Sequence, residues 1–215
     1  MNFPFWSDDH TTSVAEIVDG EPKPFPDAKW NAKDGPPQAR WICVQSVVVD
    51  DQGALWALDS ASPKTEGVVK GGAKLVKIDL GTNRVVQMIS FDDTTAPPQS
   101  YLNDVRVDTE ADHAFITESG TGAIIVVDLN TGTARRLLAD HPSTKAEPNA
   151  EITVDGMRII DPKTGKAPAV HADGIARDEE RGWLYYHALT GETMYRIKTE
   201  YLKDVSPLQN QMGCS

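Results

Sequence analysis

The amino-acid sequence predicts an all-β chain that forms part of a β-propeller, and three observations support this fold class. Short runs rich in β-branched and aromatic residues are separated by turns containing Asp, Gly and Asn. Sustained helical periodicity is hard to find anywhere along the chain. Two long segments also align with each other without a gap, and repeats of this size are typical of propellers and repeat arrays.

The length and composition favour one globular domain over residues 1–215. Hydrophobic residues make up 40% of the 215 residues and charged residues 25%, as in an ordinary globular protein. The chain is longer than the commonest domain size, but all-β domains often reach about 200 residues or more as one unit. We therefore expect a single domain.

The charge balance and the apolar runs argue against nucleic acid and membranes as partners. The chain has 21 basic and 32 acidic residues, a net charge of −11, without a basic stripe that would neutralise phosphates. Its longest apolar runs, such as residues 123–127, are far shorter than the ~20 residues that cross a bilayer. The first ten residues contain neither the basic region nor the apolar core of a secretory signal. We expect no nucleic acid, no membrane span and no signal peptide in this chain.

The N-terminal part of the chain differs from the rest in its proline content. Residues 19–38 contain five Pro residues and several turn formers, which predicts an extended crossing loop. From Arg40 onward, runs such as "VQSVVVD", "KLVKIDL", "AIIVVDL" and "WLYYHAL" predict successive strands. Residues 205–215 form a tail of atypical sequence.

Internal repeats are the most informative feature of the sequence. The segment that begins at Asn103, "NDVRVDTEADHAFITESGTGAIIVVDL", aligns with the one that begins at Asp173, "DGIARDEERGWLYYHALTGETMYRIKT". An earlier copy begins at Gln45 and contains an insertion. Each copy would supply three or four antiparallel strands, which is one propeller blade. Because six blades of about 60 residues need several hundred residues, we expect a partial ring of three to four blades.

The repeats also predict a candidate binding site. The residue before the innermost strand of each blade lies at the channel mouth, so Gln45, Asn103 and Asp173 should converge there. Their oxygen atoms suit a polar ligand or a hard cation such as Ca²⁺. The alternative is that Asn103 and Asp173 only form turns by bonding their own backbone. For Gln45 we favour such a structural role over a role in the site.

Other polar residues near these strands have weaker claims to function. Asp104 follows Asn103 and should point the opposite way, as a structural group between blades. Asp59 and Glu118 occupy equivalent positions after the second strand of their copies, where we expect solvated turn carboxylates. His171 and His187 are candidate proton carriers, although neither has a Ser or Cys nucleophile at the spacing of a catalytic triad.

Three aromatic residues occupy one equivalent position in the repeats. They are Trp56, Phe115 and Tyr185. Packing between blades explains such a series better than a ligand site does.

Several segments of the chain together resemble one protein family. They are "NFPFW", "PFPDAKWN", "VQSVVVDDQGALWALD", "SYLNDVRVD", "AFITESGTGAIIVVDL" and "ADGIARDEERGWLYYHALTGETMYRI". On these segments the chain resembles a truncated bacterial member of the major royal jelly protein and Yellow family. The resemblance implies a six-bladed propeller, mostly secreted, with a central pocket for a small polar or aromatic molecule. It therefore implies an extracellular or periplasmic location and further blades that complete the ring.

A more distant resemblance suggests alternative functions. The "LNDV" and "ADG" segments are similar to those of the gluconolactonase and senescence-marker propellers, which hold a divalent cation on the axis. That similarity implies that Asn103 is a metal ligand, and Asp173 stands where those propellers usually have Asn. The alternatives are thus a cation-dependent lactonase, a dopachrome-type tautomerase suggested by the insect pigmentation relatives, or a gene fragment without function.

Overall fold

A computed structural model of the chain describes residues 1–6, 11–162 and 164–204. The fold is all-β, with several antiparallel sheets of which none closes on itself, and this arrangement fits a propeller-like fold. The atypical tail, residues 205–215, lies outside the described residues. Within the described ranges, no helix is long and apolar enough to cross a membrane.

Strands account for nearly all the regular structure. They are β1 Ala15–Val18, β2 Glu21–Pro24, β3 Val44–Val49, β4 Ala54–Asp59, β5 Lys74–Asp79, β6 Arg84–Ser90, β7 Leu102–Asp108, β8 His113–Glu118, β9 Ala123–Asp128, β10 Ala134–Leu137, β11 Thr153–Val154, β12 Met157–Arg158, β13 Ala172–Asp178, β14 Trp183–Ala188 and β15 Tyr195–Lys198. A short helix, α1 Thr199–Lys203, follows the last strand.

Three of the sheets correspond to the three repeats. The first sheet contains β3 to β6, the second β7 to β10 and the third β13 to β15, and within each sheet every strand pairs with the next one along the chain. Strands β7 and β13 begin 70 residues apart, as do β8 and β14. The alignment of the repeats therefore places strand on strand. Each sheet is a simple antiparallel meander, which is the topology of a propeller blade.

Apolar cores lie between neighbouring sheets. Trp56 and Leu58 of the first sheet pack with Val105 and Ile116 of the second. Another core joins the second and third sheets, where Phe115 is fully buried. The first strands of the three sheets lie next to each other, β3 beside β7 and β7 beside β13. The starts of these three strands consequently come close together.

The N-terminal part of the chain covers the outer face of the first sheet. Phe25 and Trp41 pack there against Leu55 and Val76. Within the predicted loop 19–38, residues Glu21–Pro24 form β2 and pair with β1, so the segment is not a loop throughout. A strand with two prolines is tolerated here because a two-stranded hairpin has an edge where no N–H donor is needed.

Candidate functional site

A pocket of about 570 Å³ opens where the first strands of the three sheets begin. Gln45, Asn103 and Asp173, one from each repeat, all line this pocket. The other lining residues are Trp6, Ser62, Thr65, Gln99, Ser100, Tyr101, Ser119, Gly120, Ala169, Val170 and Leu189. The three predicted positions are thus brought together at one concave surface.

A backbone irregularity occurs at each of the three positions. In every sheet the pairing of the first strand with the second changes register at the site residue, Gln45, Asn103 or Asp173. Such bulges bend a strand and redirect a side chain, and they are common next to functional sites. The same local departure from regular pairing thus occurs at the equivalent position of all three sheets.

A chain of hydrogen bonds runs along the wall of the pocket. The indole Nε1 of Trp6 donates to the hydroxyl of Tyr101 at 2.7 Å, and that hydroxyl donates to Oε1 of Gln45 at 2.7 Å. Nε2 of Gln45 donates to Oδ1 of Asn103 at 3.1 Å. Nδ2 of Asn103 in turn donates to the backbone carbonyl of Asp173 at 3.3 Å. The three sheets and the N-terminal segment are therefore connected through polar side chains.

The carboxyl group of Asp173 is the most distinctive chemical group of the pocket. The backbone carbonyl of Asp173 accepts hydrogen bonds from the Thr117 hydroxyl at 2.6 Å and from the Asn103 amide. These two bonds fix the main chain at Asp173. Burial raises the pKa of this carboxyl above its ordinary value, although the nearby His187 and the Asn103 amide oppose the shift. The pocket thus contains a partly desolvated carboxyl group that can accept hydrogen bonds when charged.

Asp104 has the structural role that side-chain alternation predicts. Its Oδ1 accepts from the Ser46 hydroxyl of the neighbouring sheet at 2.7 Å. The same oxygen forms an ion pair with Arg106 at 2.9 Å. Asp104 does not line the pocket, and its contacts join the first and second sheets.

The two candidate histidines lie outside the pocket lining. Nδ1 of His171 accepts from the backbone N–H of Ala146 at 2.9 Å. Burial and the Lys145 ammonium lower the pKa of His171, which keeps its ring in the neutral form that accepts this bond. Nδ1 of His187 lies 2.8 Å from the carbonyl of Ala188, and the other ring nitrogen packs against Gly174. Both rings therefore have structural partners.

The expectation of solvated carboxylates at Asp59 and Glu118 is wrong, because both side chains are fully buried. Asp59 accepts from the backbone N–H groups of Ile42 and Cys43 and pairs with Lys74 at 2.8 Å. These partners belong to other segments, so the sequence around Asp59 gives no indication of them.

Glu118 is held by a similar set of partners. It accepts from the backbone N–H of Tyr101 at 2.8 Å and pairs with Arg136 at 2.5 Å. Burial alone would raise the pKa of Glu118, but the Tyr101 N–H and the Arg136 guanidinium outweigh it and hold the pKa below its ordinary value. Glu118 is therefore a charged structural group.

Trp6 and Tyr101 were not among the sequence-predicted site residues. Tyr101 stands two positions before Asn103 in "SYLNDVRVD", and this closeness in sequence to a predicted site residue indicates a place near the site. Trp6 comes from the far N-terminus, and its contact with Tyr101 depends on how residues 1–6 cross the first sheet.

The pocket contains two of the oxygen donors that a hard cation would need. They are Oδ1 of Asn103, which accepts from Gln45, and the carboxyl of Asp173. No three His, Cys, Asp or Glu side chains come together as a metal-binding group in the part of the chain that the structure describes.

Comparison with known proteins identifies one family. The sequence matches the family model described as major royal jelly protein over residues 42–214. This match covers most of the chain, including all three repeats and part of the tail. A search of curated proteins gives no match.

Two solved structures from B. thetaiotaomicron share a distant likeness with this chain. The extracellular domain of a hybrid two component system protein aligns at 13% identity over 73% of this chain and 14% of that one, with a TM-score of 0.41. A second structure, described as the extracellular domain of a one component system, aligns at 11% identity over 73% of this chain and 30% of that one, with a TM-score of 0.30. The chain thus spans less than a third of either protein, and likenesses this weak support no conclusion about function.

Proposed function

Because the chain belongs to the major royal jelly protein family, we propose that it binds a small polar or aromatic molecule at the channel mouth. One observation carries this proposal: Gln45, Asn103 and Asp173, at equivalent positions of three repeats, line one pocket. A concave site with a few convergent polar groups is the usual form of a small-molecule site.

The chemistry of the pocket favours a ligand that has both a ring and a hydroxyl or N–H group. The carboxyl of Asp173 accepts hydrogen bonds, and the amide of Asn103 offers N–H donors. Trp6 and Tyr101 supply aromatic surface at the rim and wall. Phenol is the simplest neutral molecule that combines a ring with a group that both donates and accepts.

Phenol binding is therefore the experiment that tests this proposal. A titration followed by NMR chemical shifts should give saturable binding that weakens at least tenfold in Asn103→Ala and in Asp173→Asn. Asp178→Asn is the matched control, since Asp178 lies on the same strand at the end away from the pocket. Equal affinity in all four proteins would contradict a site at the channel mouth.

A second candidate function is catalysis, either cation-dependent lactone hydrolysis or a dopachrome-type tautomerisation. It is supported by the proximity of His187 to Asp173, because the histidine lowers the pKa of that carboxyl against the effect of burial. Ca²⁺-dependent hydrolysis of a sugar lactone would test the first reaction. Metal binding and turnover that survive both Asn103→Ala and Asp173→Ala would rule out these residues as the site.

We also propose that the three sheets are part of a larger, six-bladed ring. The support comes from one repeat position: Trp56 and Phe115 are 1% and 0% exposed, whereas Tyr185 at the same position of the third sheet is only half-buried. The face of the third sheet that bears Tyr185 thus lacks the cover that the other two sheets have among the described residues. Reading the encoding DNA on both sides for an in-frame continuation would test this.

An extracellular or periplasmic location is proposed with the family.

The remaining alternative is a gene fragment without function, and it predicts that the isolated chain does not unfold cooperatively. Thermal unfolding followed by circular dichroism tests that prediction.

A further inference from the structure

The hydrogen bonds along the pocket wall have a fixed direction, because both ends of the series are chemically unambiguous. An indole N–H can only donate, so the Tyr101 hydroxyl must accept from Trp6. That hydroxyl then uses its own hydrogen for Oε1 of Gln45. At the other end, the backbone carbonyl of Asp173 can only accept, and Nδ2 of Asn103 is its donor.

The two amides between these ends consequently have one orientation each. Gln45 presents its oxygen to Tyr101 and its nitrogen to Asn103, and Asn103 presents its nitrogen toward Asp173. Turning the Asn103 amide over would set acceptor against acceptor at the Asp173 carbonyl and donor against donor at Gln45, and turning the Gln45 amide over would set its oxygen against the Asn103 oxygen. A half-buried polar group that loses its partner destabilises the structure, so the two orientations support each other.

The hydroxyl of Tyr101 connects the N-terminal segment to the amides. Its side chain is buried, and burial raises the pKa of the hydroxyl well above its ordinary value. The group therefore keeps the proton that it donates to Gln45. Trp6 is less buried than Tyr101, since 63% of the residue is exposed. Its indole N–H is nevertheless bonded to Tyr101, and its ring borders the pocket.

We infer that Trp6 and Tyr101 are positioning residues that hold the Gln45 and Asn103 amides so that the Asn103 amide nitrogen faces Asp173. This inference rests on the proposed ligand site. The Gln45 and Asn103 oxygens, which would be ligands of Ca²⁺, each already use one lone pair for a hydrogen bond within the series. The pocket therefore favours a molecule that has an oxygen to accept from Asn103 and an O–H or N–H to donate to Asp173 over a divalent cation.

Two aromatic substitutions test the inference in the full chain. Tyr101→Phe removes the central hydroxyl and Trp6→Phe removes the terminal donor, while both keep a ring. Tyr186→Phe is the matched control, because its hydroxyl bonds Ser143 at 2.8 Å and Tyr186 does not line the pocket. The readouts are the ¹⁵N side-chain amide resonances of Asn103 and Gln45 without ligand, and titrations with phenol and with Ca²⁺.

We expect Tyr101→Phe to shift both amide resonances and to weaken phenol binding about tenfold. Ca²⁺ should leave the Asn103 resonance of the wild type in place and move it in Tyr101→Phe, since the Gln45 amide then loses its partner on one side and holds the Asn103 oxygen less firmly. Trp6→Phe should give the same changes to a smaller extent, and Tyr186→Phe none of them.

Unchanged amide resonances in Tyr101→Phe would overturn the inference, as would a wild-type Asn103 resonance that responds to Ca²⁺ more strongly than to phenol. If the resonances shift in Tyr101→Phe but the wild type binds no phenol, the positioning role stands and the proposed ligand class fails.

Discussion

Asp59 and Asp173 lie at the same end of the sheets, and one is a structural carboxylate while the other faces a pocket. Asp59 is fully buried, accepts from three backbone N–H groups and pairs with Lys74. Asp173 lines the pocket, and burial raises the pKa of its carboxyl because the surroundings do not compensate fully for lost water. A carboxylate whose oxygens are all engaged stabilises the fold, whereas one that faces a cavity can bind a ligand.

The largest loss of stability should come from breaking the buried ion pair between Asp59 and Lys74. Asp59→Ala leaves the Lys74 ammonium buried without its counter-charge, and we expect a loss of about 3–5 kcal/mol in the free energy of unfolding. Chemical denaturation measures this loss. Asp93→Ala, an exposed carboxylate of the same sheet region, should change stability by less than about 0.5 kcal/mol. Similar values for the two variants would show that the partners of Asp59 contribute little.

A smaller loss of stability should distinguish the covered sheet face that bears Phe115 from the less covered face that bears Tyr185. Phe115→Leu removes part of a fully buried ring between the second and third sheets, with an expected loss of about 1–2 kcal/mol. Tyr185→Leu, at the equivalent position, should cost less than about 1 kcal/mol because Tyr185 is half-buried. Equal losses, measured by the same denaturation assay, would mean that the face bearing Tyr185 is covered as well as the others.

The pH dependence of stability should distinguish Glu118 from Asp173. The pKa of Glu118 is held below its ordinary value of 4.5, so its stabilising contribution is complete above that pH and is lost as the pH falls through the folded-state pKa. Each unit of difference corresponds to about 1.4 kcal/mol. Glu118→Gln should therefore lower stability at pH 7 and flatten its fall toward pH 3. If the stability of Glu118→Gln fell toward pH 3 as steeply as that of the wild type, the charged state of Glu118 would be contradicted.

The smallest effect on stability is expected at Asp173. Its raised pKa means that the charged form is disfavoured in the folded state, a cost present above the folded-state pKa that disappears below the ordinary value of 3.8. Asp173→Asn should thus leave the free energy of unfolding at pH 7 within about 0.5 kcal/mol of wild type, or raise it slightly. A loss comparable to that of Asp59→Ala would assign Asp173 a structural role.

Much of the fold follows from the repeats, and the number of blades stays a prediction. Aligning the segments that begin at Asn103 and Asp173 was sufficient to place β7 to β9 on β13 to β15, because equivalent turns and strands recur in register. The same register brought Gln45 to the pocket. Residues 21–24 form a strand despite two prolines because their partner strand is local, a feature that proline counting does not capture.

The partners of polar groups could not be predicted from local sequence. Asp59 and Glu118 occupy turn-like positions, and their burial depends on Lys74 and Arg136 from other strands. Trp6 likewise reaches the pocket only through the path of the N-terminal segment. Long-range pairing decides whether a polar residue is structural or available, and one unaligned sequence does not contain that information.

The most direct test of a ligand site at Asp173 is a ¹³C NMR titration of the Asp173 and Asp178 carboxyls, with and without phenol. Both lie on β13, and backbone hydrogen bonding from Arg181 lowers the pKa of Asp178 while burial raises that of Asp173. We expect Asp173 to titrate above 3.8 and Asp178 below it, and phenol to move only the Asp173 signal. Two carboxyls that titrate alike and do not respond to phenol would contradict a ligand site at Asp173.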